Sequence, residues 1–361
     1  MVQRLEKIHI EGYKSIKEMD LEIKNLNVLI GANGSGKSNF IGIFKFLRQI
    51  VEQRLQITVR EAGGADSFLY YGSKETTSLN IQLDFDPNYY NLDLGIADND
   101  SLFVKYEKVG FQGNGFNDPL WRILTEGTLE TKIKDVAQSG TFSRHTYPSL
   151  SSWRVYHFHD TSAHAAVKKF GNINDNEFLR EDAANLAAFL YRMQKENLKH
   201  YERIVKTIQW VVPMFSDFKL RPNPHNKETI RLEWNDKNSD YPFGASHLSD
   251  GSLRFICLTA MLLQPNRPDL ILVDEPELGL HPMAIQILAG LLQKVSHLSQ
   301  LIISTQSAEL VSTFEAENII VVENKEGVST FTRLKKGQLD NWLGEYSLGE
   351  IWEKNVIGGR P

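Results

Sequence analysis

A single cysteine, Cys257, among 361 residues excludes an intramolecular disulfide and a multi-cysteine zinc site, and makes a reducing cytoplasm the expected home. It stands in the apolar run "FICLTAMLL", where a buried inert thiol is expected rather than a nucleophile. No window approaches the ~18 apolar residues that cross a bilayer, and "MVQRLEKIHIEGY" lacks the apolar core of a signal peptide. A membrane partner is therefore not expected. The net charge of −5 offers no global attraction to nucleic acid, so any such binding needs a local basic surface. Internal repeats, low-complexity tracts and sustained heptads are also missing.

What is present reads as a folded chain. Apolar content of 41% and charged content of 24% argue against disorder. The length suits two or three domains, or one large α/β domain with an insertion. "LEKIHI", "MDLEIK" and "LNVLI" read as strands, followed from about 37 to 53 by helical apolar spacing. "SLNIQLDFD" alternates as a strand should. From about 90 to 180 the pattern weakens, with one strand expected at "WRVYHFHD". A long amphipathic helix is expected over about 181–208, then a strand at "TIRLEW". Beyond it the order is helix 250–263, strand 270–274, helix 282–295, strand 300–304, helix 307–313 and strand 318–323. Such alternation implies an α/β fold with a mostly parallel central sheet covered on both faces. The expected organisation is a head from 1–90 and 220–361, with an α-helical lid insertion at 91–219.

Two motifs carry phosphate chemistry. "GANGSGKS", Gly31–Ser38, lies between a strand and a helix and matches the phosphate-loop pattern. Its backbone N–H groups and the helix N-terminus can surround a β-phosphate, Lys37 can reach the β- and γ-phosphates, and Ser38 can hold Mg²⁺. Gly31, Asn33, Gly34, Ser35, Gly36, Lys37, Ser38 and Asn39 are the expected nucleotide contacts. "LILVDEPELGLHP" supplies an acidic pair at the C-terminal end of a buried strand, the edge where open α/β sheets bind ligands. Asp274 suits Mg²⁺, and Glu275 can orient or deprotonate an attacking water.

The order of phosphate loop, "LSDGS", "LVDEP" and "STQS" resembles that of ABC-type ATPases, within them the SMC/RecF/OLD branch. The opening "IHIEGYKSIKEMDLEIKNLNVLIGANGSGKSN" is similar to that branch, closest to bacterial proteins described as AAA-family ATPases. The resemblance implies a P-loop ATPase head with an N-terminal antiparallel β-region, ATP and Mg²⁺ as cofactors, and a homodimer formed on ATP binding. It also implies that Ser249 and Gly251 bind the γ-phosphate held by the other subunit, and that Gln306 stands at the switch position, which contacts the γ-phosphate. Two residues depart from the family pattern. Asp250 replaces a glycine, and Gln306 replaces a histidine, which predicts slow hydrolysis. By itself, "SDGS" also reads as a plain helix cap.

Other features leave alternatives open. Arg192, Lys195, Lys199, Arg203 and Lys206 recur at helical spacing, which fits either a nucleic-acid face or an ordinary solvated one. "YHFHDTSAH" holds His157, His159, Asp160 and His164, which suit a metal site or, as favoured, either local hydrogen bonding or a position near the nucleotide. The roughly forty residues after the last strands are too few for an OLD-type nuclease domain. An ATPase acting in DNA maintenance or anti-phage defence, with DNA as a candidate partner, is one reading. A regulator of a separate nuclease or toxin effector is the other.

Overall fold

The computed structural model describes residues 3–113, 118–138 and 143–360. The chain opens with β1 (Lys7–Tyr13), β2 (Ile16–Glu22) and β3 (Leu26–Ile30). β4 (Ser78–Asp84), β5 (Asn88–Ala97), β6 (Ser101–Phe111) and β7 (Leu120–Thr128) follow, then β8 (Arg154–Tyr156). Five short strands come next: β9 (Gly171–Asn172), β10 (Phe215–Phe218), β11 (Thr229–Ile230), β12 (Glu233–Asp236) and β13 (Pro242–Gly244). β14 (Leu270–Asp274), β15 (Gln300–Thr305), β16 (Ile319–Lys325) and β17 (Val328–Arg333) complete the set.

Two six-stranded sheets result, in the orders β2-β1-β4-β5-β6-β7 and β17-β16-β3-β15-β14-β8. Their sequences explain the difference. β4 buries every second residue, as an antiparallel strand with one face on a core does. β3 is buried at all five positions and β15 at all six, as strands covered on both faces must be. The first sheet is antiparallel throughout. In the second, β16, β3, β15, β14 and β8 run parallel and only β17 is reversed.

Alternate side chains of the central sheet feed two separate cores. Leu29, Leu272 and Ile302 face the helix Lys37–Val51 and the antiparallel sheet, packing with Phe40, Phe44, Ile8 and Ile81. Val28, Val273 and Ile303 face the other way, toward Leu258 and Leu288 of the helices Asp250–Leu263 and Pro282–Ser296. Cys257 lies in this second core, where burial pushes its thiol up to about 12, as an inert cysteine requires.

Three sequence expectations are corrected here. The strand expected at "WRVYHFHD" is β8, the edge of the second sheet, but the weak region also contains β5–β7, which widen the first sheet, so residues 91–219 hold more strands than expected. "TIRLEW" splits into β11 and β12, which belong to different small sheets. The helix expected over 181–208 is two helices, Leu186–Glu196 and Leu198–Val211, separated at Asn197, whose φ of −137° is not helical. Asn197 occupies the place where the inward stripe Leu186, Leu190, Met193 would continue to Tyr201, Ile204 and Ile208. A polar residue with poor helix propensity at that place ends the first helix.

Trp153, just ahead of β8, is 2% exposed and packs against Phe44 at 5.3 Å and Phe85 at 6.2 Å between ring centroids. It joins the edge of the central sheet to the phosphate-loop helix. Trp153→Ala should destabilise the protein by about 3–5 kcal/mol, read as a lower urea midpoint without a change of slope.

Candidate functional site

The parallel strands end at one edge, so the segments that follow them meet there. β3 runs into Gly31–Gly36, β14 ends at Asp274 and β15 ends one residue before Gln306. A cavity of about 130 Å³ is lined by Asn33, Gly34, Ser35, Gly36, Lys37, Ser38, Asn39, Asp274, Glu275 and Gln306. It is smaller than the ~300–1,000 Å³ of whole-ligand pockets. The phosphates of a nucleotide would fit there, with base and ribose outside.

The loop is held from behind. Ser329 Oγ lies 2.7 Å from both Ser15 Oγ and the Ser35 carbonyl, and Asn39 Nδ2 donates to Ser15 Oγ at 2.8 Å. Asn39 therefore braces the loop against the first hairpin. Lys37 Nζ donates to the Gly31 and Ala32 carbonyls at 2.6 and 3.0 Å. Burial holds its pKa below the ordinary lysine value, and Glu275, Asp274 and Glu277 oppose that shift. Ser35 Oγ is buried and has no hydrogen-bond partner among the described residues.

Across the cavity, the acidic turn is pinned by the end of β15. Ser304 Oγ donates to Asp274 Oδ1, and Gln306 Nε2 donates to Glu275 Oε1. Between them, Thr305 Oγ1 donates to Glu277 Oε1 at 2.5 Å, which also accepts the Gln306 N–H at 3.2 Å. Glu277 is buried, burial raises its pKa, and its Oε2 has no partner among the described residues. Glu275 has a φ of +43°, an uncommon left-handed conformation for a residue with a side chain. Such strain gathers at functional sites.

The "LSDGS" stretch does not line this cavity. Ser249 caps the helix Asp250–Leu263, accepting the Ser252 N–H at 3.2 Å and donating to Ser252 Oγ at 2.8 Å. Gly251 lies against the turn after the acidic pair, where a Cβ would come within 2.3 Å of the Gly279 carbonyl. Asp250 turns toward Lys168, whose Nζ is 3.9 Å from Oδ1.

After β8, His159 Nε2 lies 3.1 Å from the Asp274 carbonyl oxygen, next to the site. His157 is half-buried, and burial lowers its pKa, with Lys45 adding to the shift and Glu181 and Asp274 opposing it. No group of three or more metal-ligating side chains occurs among the described residues. Of the basic face, Arg192 and Lys195 lie on the helix Leu186–Glu196 and Lys199, Arg203 and Lys206 on the helix Leu198–Val211, so the five share no single helical face. Arg192 Nε bonds Glu196 at 2.7 Å, and Lys195 Nζ sits 4.0 Å from the Tyr191 ring centroid.

Sequence reasoning missed several parts of the site. Ser15, Thr305 and Glu277 brace the loop and the acidic turn, and only their neighbours in sequence hinted at them. The segment around Gly359 carried no motif. Gly359 lies against the phosphate loop, its Cβ position 3.5 Å from Gly31 Cα and 2.7 Å from Val321 Cγ1, with φ of +60°. Trp352 Nε1 anchors that segment by donating to the Gly359 carbonyl at 2.5 Å.

The architecture is that of an ABC/SMC-like ATPase head. Solved structures that share the fold include two Smc heads. A crystallised Smc head bound to the C-winged-helix domain of ScpA matches with a TM-score of 0.59 at 17% identity, over 93% of this chain and 99% of that one. An Smc head with an extended coiled coil, bound to the C-terminal domain of ScpA from Pyrococcus furiosus, matches with a TM-score of 0.56 at 15% identity, over 95% of this chain and 99% of that one. The chain belongs to the family described as "AAA domain, putative AbiEii toxin, Type IV TA system", whose sequence profile matches residues 26–312. None of the curated proteins matches the sequence. Family and fold together are those of ATP-binding ATPases. No helix among the described residues is long and apolar enough to cross a membrane.

The packing of Gly359 on Gly31 makes a local prediction. Gly359→Val forces a branched side chain into a left-handed position beside Val321, at a cost of about 1–3 kcal/mol for overpacking. The phosphate loop should shift, and ATP affinity measured by calorimetry should fall by about tenfold or more.

Proposed function

We propose that the protein binds MgATP at the edge of its central sheet and hydrolyses it, slowly, as a pair of heads. The observation that carries this reading is the single cavity shared by the phosphate loop, Asp274, Glu275 and Gln306. Gly31–Gly36 and Lys37 would hold the phosphates, with Asn39 bracing the loop and the unpartnered Ser35 hydroxyl free to take a ligand contact. Ser38 and Asp274 would hold Mg²⁺, and two protein oxygens suit an ion that keeps several of its waters. The ion would screen the phosphates from the nearby carboxylates. Glu275 would orient and deprotonate the attacking water, and the amide of Gln306 would fix the position of Glu275.

The second copy enters through Ser249 and Gly251. They lie outside the cavity of their own head, at a helix N-terminus whose free N–H groups suit an anion. On this reading each head closes the site of the other in a symmetric pair. Asp250 turned toward Lys168 is compatible with an approaching phosphate.

For the biological role we favour action on DNA in chromosome maintenance or anti-phage defence, in the cytoplasm. Lys195, Lys199, Arg203 and Lys206 are exposed and divided between two helices. They offer two short basic faces rather than one continuous track. The second reading, an ATP-gated regulator of a separate effector, draws on the toxin named in the family description and on the ScpA domain bound to the similar Smc heads.

The test is the solution mass of Glu275→Gln protein. A monomer that becomes a dimer only with ATP and Mg²⁺ is expected, and a monomer under both conditions would reject the paired-head mechanism. Hydrolysis supplies a second prediction. Gln306 donates its amide N–H to Glu275, and an amide cannot take up a proton. Gln306→His can instead accept a proton, so its single-turnover rate should exceed the parent's by about tenfold, within the ~10²–10⁴ range of general acid–base assistance.

A further inference from the structure

One turn into the helix that begins at Ser249, Arg254 is 6% exposed and outside the phosphate cavity. Its guanidinium donates to three main-chain carbonyls. Nε reaches Phe158 at 2.8 Å, Nη2 reaches His159 at 3.2 Å, and Nη1 bonds Leu278 in close contact. The first two acceptors belong to the segment after β8, where the His159 ring touches the Asp274 carbonyl. The third belongs to the turn that starts at Glu275, whose carbonyl accepts the Leu278 N–H at 3.2 Å. The same turn supports Gly251 through the Gly279 carbonyl.

A buried arginine whose bonds all go to neutral carbonyls is a costly way to fill space, since an apolar side chain of similar volume avoids desolvating a charge. What the guanidinium adds is geometry. Its planar fork holds acceptors on two different segments in one fixed arrangement.

We propose that Arg254 is a positioning residue that couples the two half-sites of one head. It transmits the position of the Asp274–Glu275 turn, set by the nucleotide of its own head, to the Ser249–Gly251 end of the helix, which meets the nucleotide of the other head. The inference rests on the paired-head reading above. With Arg254 in place, a head that has bound MgATP presents a correctly aligned helix end to its partner. Without it, a head binds ATP but is poorly prepared to pair. Linkage requires the converse as well, so pairing tightens ATP binding through the same contacts.

The experiment uses the Glu275→Gln protein as parent, with Arg254→Met and Arg254→Lys each added to it. Labelled ATP with Mg²⁺ is titrated by equilibrium dialysis at protein concentrations too low for pairing. The dimer dissociation constant is then measured by sedimentation in saturating MgATP. Both variants should bind ATP as monomers within about twofold of the parent, because the phosphate loop is untouched. Their dimer dissociation constants should rise by about tenfold to a hundredfold, the worth of hydrogen bonds from a charged donor. Lysine keeps the charge but not the fork, so it should not restore pairing. Parent-like pairing in either variant overturns the proposal. A parallel loss of ATP binding and pairing also overturns it, because Arg254 would then serve only the local fold. If the methionine variant does not fold, the lysine variant decides. A parent that stays monomeric in MgATP instead rejects the paired-head reading, and the role of Arg254 with it.

Discussion

The parallel pairing of β14 with β15, which sets Asp274 opposite Ser304, is the contact on which the site depends. From that register, three consecutive residues of one strand end meet three carboxylates of the neighbouring turn. Ser304 takes Asp274, Thr305 takes Glu277 and Gln306 takes Glu275. A slip of one residue would reverse the faces of β15, sending its apolar side chains into the wrong core and detaching all three acids. The register is itself fixed by burial, because β15 is buried at every position and has no solvent face to yield.

β3 completes the arrangement from the other side of β15, bringing the phosphate loop to the same edge. Its support extends beyond the central sheet. The loop rests on Ser15 of the first hairpin, on Ser329 of β17 and on the backbone around Gly359. Segments more than 300 residues apart in the chain thus converge on one turn, as in the contact between Ser15 and Ser329. The antiparallel sheet and the segment near Gly359 are parts of the site's foundation.

Much of this was legible in the sequence because local chemistry and burial agree there. β3, β14 and β15 read as apolar runs, and the loop and acidic pair at their ends have few alternative uses. β5–β7 were harder, since Asn, Gly and Asp interrupt an alternation that is nonetheless present in Tyr90, Leu92 and Leu94. The single helix expected over 181–208 failed at one residue. Asn197 lies in phase with the apolar stripe, so periodicity alone ran through it, while the backbone does not. The braces were least legible. Nothing in the local sequence of Arg254, Ser329 or Gly359 says which distant carbonyl or glycine each one meets.

The charge balance of the cavity says why the acids are tied down. Asp274, Glu275 and Glu277 crowd one turn, and Lys37, the cation lining the cavity, is buried and engaged with carbonyls of its own loop. A polyphosphate entering this cavity adds negative charge to an already acidic site, which is unfavourable unless a cation comes with it. Mg²⁺ and the loop N–H groups would supply that compensation, and Lys37 would have to exchange its carbonyl bonds for phosphate oxygens. Asp274 and Glu275 would likewise have to loosen from Ser304 and Gln306 before they could act on an ion or a water. Glu275 is already held in a left-handed conformation, part of the way out of the strand geometry that precedes it. In this arrangement the acids are held in hydrogen bonds to the end of β15, and a ligand entering would compete with those bonds. On the proposed reading, binding would thereby be coupled to movement of the turn that carries Leu278 and Gly279, the two carbonyls on which the helix beginning at Ser249 rests.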